Sequence, residues 1–245
     1  MINGLVHWIA QNFPNIYNLG WTGDTGWGTS ILQIIYMTFW PSIFGGVLGL
    51  FFGVILVLTE PGGILENKFW FNFCDKLISI LRAIPFIILL AFISPLTRLI
   101  VGTEIGDTAA LVPLTLGIFP FYARQVQVAL ESLDPGKVEA AQSLGASNWD
   151  IIFDVYLDII FDVYLKETRS EIIRVSTVSI ISLIGLTAMA GAVGAGGLGT
   201  TAIQYGYRDF ANDVTFLATV LVVIMIFIVQ VVGDFLAKKL NHQHR

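Results

Sequence analysis

Charge is what this chain has least of. Only 13% of its 245 residues are Asp, Glu, Lys or Arg, whereas 55% are hydrophobic; soluble domains carry about 25% charged residues. Mean hydropathy is +0.76. The shortage is gathered into runs: residues 29–59, 83–97, 108–123, 175–207 and 214–233 contain no Lys, Arg, Asp or Glu. The single Cys74 excludes an intramolecular disulfide and a cysteine-based metal site, and it reads as structural. His7, His242 and His244 all stand near the chain ends, and the last two follow Lys238-Lys239 as part of a solvated tail rather than as metal ligands. The N-terminal segment up to residue 30 holds no Lys or Arg, so it lacks the positive region of a cleavable signal peptide. No phosphate-binding loop, dinucleotide fingerprint or nucleophile–base pair is found. The reading is a non-enzyme with no catalytic residue, no metal site and no nucleic-acid partner.

What is present is apolar length. A helix needs about 20 apolar residues to cross a hydrocarbon core of about 30 Å, and the first, fourth and fifth runs reach that unaided. The second reaches it if it takes in Leu99–Val101 while Arg82 and Arg98 snorkel. The third does so by running on to Leu130, which buries Arg124 near one end. The pattern predicts an all-α integral membrane protein with five transmembrane helices, at 31–58, 79–101, 109–130, 172–193 and 214–236. Residues 1–28 form an extracytoplasmic or interfacial segment, with Trp8, Trp21 and Trp27 at headgroup depth. Residues 29–236 are the membrane domain, 131–171 its long cytoplasmic loop, and 237–245 a cytoplasmic tail. With the N-terminus outside, the cytoplasm receives Lys68, Lys76, Arg82, Arg124, Lys137, Lys166, Arg169, Arg174, Lys238, Lys239 and Arg245; only Arg98 and Arg208 fall outside. That bias fixes the orientation under the positive-inside rule.

The cytoplasmic loop is polar but patterned. Leu133-Asp134-Pro135-Gly136 reads as a turn, with Asp134 capping a helix whose first residue is Pro135. Ala140 and Ala141 leave one helix face without bulk, and Gly145 ends or bends the helix before Ala146-Ser147-Asn148-Trp149 starts another. An ordinary helical hairpin would explain an isolated Glu-Ala-Ala. With Gly145 four residues beyond the second alanine, however, Glu139-Ala140-Ala141-Gln142-Ser143-Leu144-Gly145 resembles the EAA-x3-G signature of the membrane subunits of ATP-binding-cassette (ABC) importers. In that family the segment is the short cytoplasmic helix that docks into a groove on the ATPase.

Further stretches resemble the methionine-import branch of that family: Arg82–Leu90, Ile100–Thr103, Ala110–Thr115, and above all Ala190–Gly199 followed by Gln204-Tyr205-Gly206-Tyr207. Glycines at 191, 194, 196, 197 and 199 run against helix propensity, since each costs about 1 kcal/mol relative to Ala inside a helix. They allow either close helix–helix approach or an unwound element lining a polar cavity, and spacing alone leaves both open. The resemblance spans residues 30–236 and implies the ABC type I importer permease fold. It also implies a homodimer carrying methionine, both L- and D-, inward by alternating access across a bacterial cell membrane. The implied partners are two copies of an ATPase with a C-terminal regulatory domain, which hold ATP and Mg, and an extracytoplasmic methionine-binding lipoprotein; this chain itself carries no cofactor. Thr115, Ser179, Ser182, Thr187 and Met189 are the pore-lining candidates, and Tyr205, Tyr207 and Asp209 are placed on the outer loop facing the binding protein.

One feature departs from the family. Asp150–Leu157 is repeated without change as Asp158–Leu165, and the following Leu-Pro step is replaced by Leu165-Lys166-Glu167. Eight extra helical residues add about 12 Å and about 80° of rotation, so the repeat either loops out harmlessly or displaces the docking helix. Rival readings remain open. An ABC importer of another amino acid or small polar solute would share the loop but not the glycine run. A secondary transporter would need inverted repeats and intramembrane carboxylates, and no Asp or Glu stands well inside any span. A non-transporting scaffold would not need the Glu139 loop.

Overall fold

Among the residues that the computed structural model describes (8, 10–131, 143, 145 and 169–241), every regular element is helical. We label them α1 (Pro14–Leu19), α2 (Trp27–Thr59), α3 (Lys68–Ala83), α4 (Phe86–Val101), α5 (Asp107–Glu131), α6 (Arg169–Gly191), α7 (Gly197–Thr200) and α8 (Asn212–Asn241), with a π-helix at Thr201–Arg208 running on from α7. Four segments are long and apolar enough to cross a membrane: Trp27–Thr59, Asp107–Glu131, Ile173–Gly191 and Asn212–Lys239. They coincide with the first, third, fourth and fifth expected spans.

The second expected span, 79–101, is divided between α3 and α4, a broken pair that is long and apolar enough to cross a membrane when taken together. Its first five residues belong to α3, and α4 begins only at Phe86. Proline lacks an N–H and disfavours the α conformation in the residue before it; Pro85 is extended, with ψ 132°, and breaks the helix between Ala83 and Phe86. The 16 residues of α4 rise about 24 Å, less than the hydrocarbon thickness. Gly102, at φ 85°, closes the far end by donating its N–H to the Arg98 carbonyl, a left-handed C-cap. The segment expected as a tail, from residue 237, begins within α8. α8 continues to Asn241 and places Lys238 and Lys239 in its last turn, where positive charge complements the helix dipole.

The chain packs as two compact units. The first comprises residues 1–45, 84–118 and 180–228. Its core joins Trp27, Ile34, Leu198, Val214 and Ala218, with Ile16, Leu19 and Tyr205 packed against them. Trp27 is only 5% exposed and donates its indole N–H to the Ile16 carbonyl at 3.0 Å. It is therefore a core anchor for α1, whereas Trp8 and Trp21 stand exposed. Asn15 Nδ2 ties the same helix to Asp213 Oδ1 at 3.0 Å.

The second unit comprises residues 46–83, 119–179 and 229–245. Leu56, Cys74, Ile78 and Ala123 form its described core, with Phe52, Ile55 and Phe71 around them. Asn67 caps α3 by accepting the Phe69 and Trp70 N–H groups at 3.1 and 3.3 Å. α3 is amphipathic: Cys74 and Ile78 are buried while Phe69, Trp70 and Phe73 stand exposed.

Candidate functional site

The glycine-rich stretch is where the first unit departs from regular helix. α6 stops at Gly191, the chain turns through Ala192–Gly196, and α7 starts at Gly197. Gly194, Gly196 and Gly197 take φ values of 93°, 87° and 73°, a region closed to most side chains. The two arms of the turn then meet backbone to backbone: a Cβ on Gly191 would lie 2.5 Å from the Thr200 nitrogen, and one on Gly199 would strike the Ala188 carbonyl oxygen. The stretch thus takes left-handed φ at three glycines and brings backbone against backbone at the other two.

Polar side chains pin this turn. Thr200 Oγ1 donates to the Gly191 carbonyl at 2.8 Å and accepts the Gly196 N–H at 3.0 Å. Gln33 Oε1, from α2, accepts the Gly197 N–H at 2.7 Å, and the buried hydroxyls of Ser30 and Thr201 pair at 2.9 Å. The bonds from Thr200 and Gln33 answer backbone groups freed by the break. Gln33 and Ser30 were not singled out from sequence, because nothing local to α2 shows what they face. Val193 and Ala195 help line a cavity of about 20 Å³ with Thr97 and Glu104. That volume admits a water and is far too small for an amino acid.

Of the expected docking segment, Gly145 lies within the described residues, and Glu139, Ala140 and Ala141 lie outside them. Gly145 has φ 82° and stands exposed. The pore-lining candidates scatter. Ser179 and Thr187 are buried and donate to carbonyls of their own helix, at Val175 and Ile184. Thr115 and Ser182 are half-buried, and Met189 is exposed. On the outer-loop candidates, Tyr205 packs on the core while Tyr207 and Asp209 are exposed. Beside them Phe210, 88% exposed, holds φ 57°, an outlying conformation for an aromatic residue.

The second unit holds a polar chain that the sequence reading left without partners. Arg124 Nη2 donates to Asp75 Oδ1 at 2.6 Å, and its Nη1 donates to Gln127 Oε1 at 2.7 Å. Gln127 Nε2 continues to Glu131 Oε1 at 2.6 Å, and Glu60 hydrogen-bonds Glu131 in turn. Burial, then the Glu131 charge and that hydrogen bond, raise the Glu60 carboxyl above its ordinary range. The Arg124 and Asp75 side chains are 26% and 35% exposed, so their attraction is less screened than that of a surface pair. The spacing 124, 127, 131 puts all three groups on one helix face, and this was the available signal.

Comparison with known proteins is consistent across sequence and fold. Residues 45–242 match the family described as binding-protein-dependent transport system inner membrane component. A protein of Pasteurella multocida named "Probable D-methionine transport system permease protein MetI" is 42% identical over 216 residues, covering 88% of this chain and 96% of the relative. The "Methionine import system permease protein MetP" of Bacillus subtilis is 41% identical over 182 residues, covering 74% of this chain and 78% of the relative. A solved chain from the inward-facing MetNI methionine ABC transporter superposes with TM-score 0.78 at 40% identity, covering 86% of this chain and 94% of that one. The all-helical architecture and its membrane-length helices are those of an ABC importer permease, a transport component and not an enzyme. This chain belongs to the family of inner-membrane components of binding-protein-dependent transport systems.

Proposed function

We propose that this chain is the membrane-spanning subunit of an ATP-driven importer of methionine, working as a homodimer. The match to methionine permeases in sequence and fold, over 88% and 86% of this chain, carries the reading, and the pinned glycine turn at Gly191–Gly199 supports it. Two copies of a cytoplasmic ATPase hold ATP and Mg, and an extracytoplasmic methionine-binding lipoprotein delivers the solute. Glu139, Ala140, Ala141 and Gly145 form the segment that docks on the ATPase, and the left-handed Gly145 is the observation nearest to that role. The N-terminus lies outside and the C-terminus inside, as the distribution of Lys and Arg requires. On closing, the ATPase pair draws the docking segments together, and the spans rock between inward- and outward-open states. Exposed Met189 is the pore-face candidate with the best surface access.

The test is uptake of radiolabelled L- and D-methionine by proteoliposomes holding the chain with its ATPase and binding protein. It is run with the chain as written and with Asp158–Leu165 deleted. ATP-dependent uptake by both forms is the expected result and means that the repeat is tolerated. Uptake by the shortened chain alone keeps the solute but shows that the repeat uncouples. Uptake of other amino acids in preference to methionine, by either form, sinks the substrate assignment.

A further inference from the structure

The last two turns of α5 lead directly into the long cytoplasmic segment, and they are held from two sides. Arg124 binds Asp75 of α3, with Ser79 of the same helix within 3.4 Å. On the other side Leu56, near the end of α2, packs against Ala123 of α5 and Cys74 and Ile78 of α3, with Glu131 the final residue of α5. Gln127 accepts from Arg124 and donates to Glu131, so the chain of side chains is continuous from α3 to the last residue of α5. Beneath it, Cys74, Ile78, Leu56 and Ala123 fill the angle between the same three segments.

We propose that the Asp75–Arg124–Gln127–Glu131 chain is the joint through which force on the cytoplasmic segment reaches the membrane helices, with Arg124 as its positioning residue. The proposal rests on the importer reading above. A lone helix end frays, because its last carbonyls lack intrahelical partners. A helix end clamped to two neighbours instead moves with them as one body. Displacement of the segment after Glu131 is therefore delivered to α2 and α3 rather than absorbed by unwinding of α5. Arg124 suits the position because its planar guanidinium serves Asp75 and Gln127 at once through separate nitrogens, which a lysine ammonium does not reproduce.

The test compares the parent complex with Arg124→Gln, Asp75→Asn and the exchanged pair Asp75→Arg with Arg124→Asp, each purified with the ATPase and matched for subunit stoichiometry. Two ratios are read: methionine taken up per ATP hydrolysed, and the fold-stimulation of hydrolysis by the binding protein. Each single substitution is expected to lower both ratios by about tenfold, within the range of ordinary coupling energies, while basal hydrolysis persists. The exchanged pair is expected to recover much of the loss. Unchanged ratios in the single variants overturn the proposal. So does failure of all variants to assemble, which would make the cluster a folding element. A parent complex whose hydrolysis is stimulated by the binding protein but which takes up no methionine sinks the substrate reading alone, and the stimulation ratio then decides the proposal.

Discussion

At the scale of single residues, the glycines separate by what surrounds them. Gly191 and Gly199 face backbone across the turn, where no flexible side chain can give way, whereas a Cβ on Gly185 would meet nothing within 4 Å. Gly191→Ala and Gly199→Ala are each expected to destabilise by about 1–3 kcal/mol, the usual range for forcing atoms into a packed site. Gly185→Ala is expected to be neutral or to stabilise by up to about 1 kcal/mol through helix propensity. Thermal unfolding in detergent, followed by loss of helical circular dichroism, ranks the three; equal midpoints for Gly185→Ala and Gly199→Ala would remove the close-approach account. The sequence showed that these glycines needed an explanation, because five in nine positions cannot be chance helix formers. It did not divide them into three that unwind and two that pack, since that division depends on Gln33 and Ala188 lying opposite.

At the scale of elements, the apolar runs located four of the membrane-length helices to within a few residues, because a bilayer demands length and length is visible in a sequence. The second run is harder to bound, because it is broken within. Ser79–Ala83 is apolar enough to join α4, yet Pro85 and the amphipathic pattern from Lys68 onward assign it to α3. Long-range polar pairing was least legible: Arg124 was recognised as a charge in an apolar setting, but its partner Asp75 lies 49 residues away. The junction of α2, α3 and α5 also carries a pH signature. Glu60 has its folded pKa raised above the reference value of 4.5, so the folded state holds that proton longer than the unfolded state does. Its effect on stability is therefore nil below 4.5 and becomes unfavourable as pH rises through the folded value. Glu60→Gln is expected to raise the unfolding midpoint at pH 7–8, by an amount equivalent to at most about 1 kcal/mol for so accessible a group, and to leave it unchanged at pH 4. A midpoint that falls at pH 7–8 would show that the Glu60–Glu131 contact is stabilising when ionised.

At the scale of the whole molecule, the surface is dominated by what a bilayer or a second copy must cover. α2 exposes Leu32, Phe39, Phe44 and Phe51, and α8 exposes Phe216, Phe227, Val231 and Phe235, far more apolar surface than a soluble monomer tolerates. The basic last turn of α8 and the cationic residues flanking α3 predict that the C-terminus lies in the cytoplasm. A green fluorescent protein fused after Arg245 is expected to fluoresce, and alkaline phosphatase at the same place to be inactive; an active phosphatase would invert the topology. The sole thiol of the chain, Cys74, is 2% exposed and enclosed by Leu56, Ile78 and Ala123. The native protein is in consequence a ready-made spectroscopic background: a maleimide probe added to the folded chain should find only cysteines placed there by design, at any chosen pair of positions. The residual labelling of Cys74 becomes an internal gauge of how much protein in the sample has come unfolded.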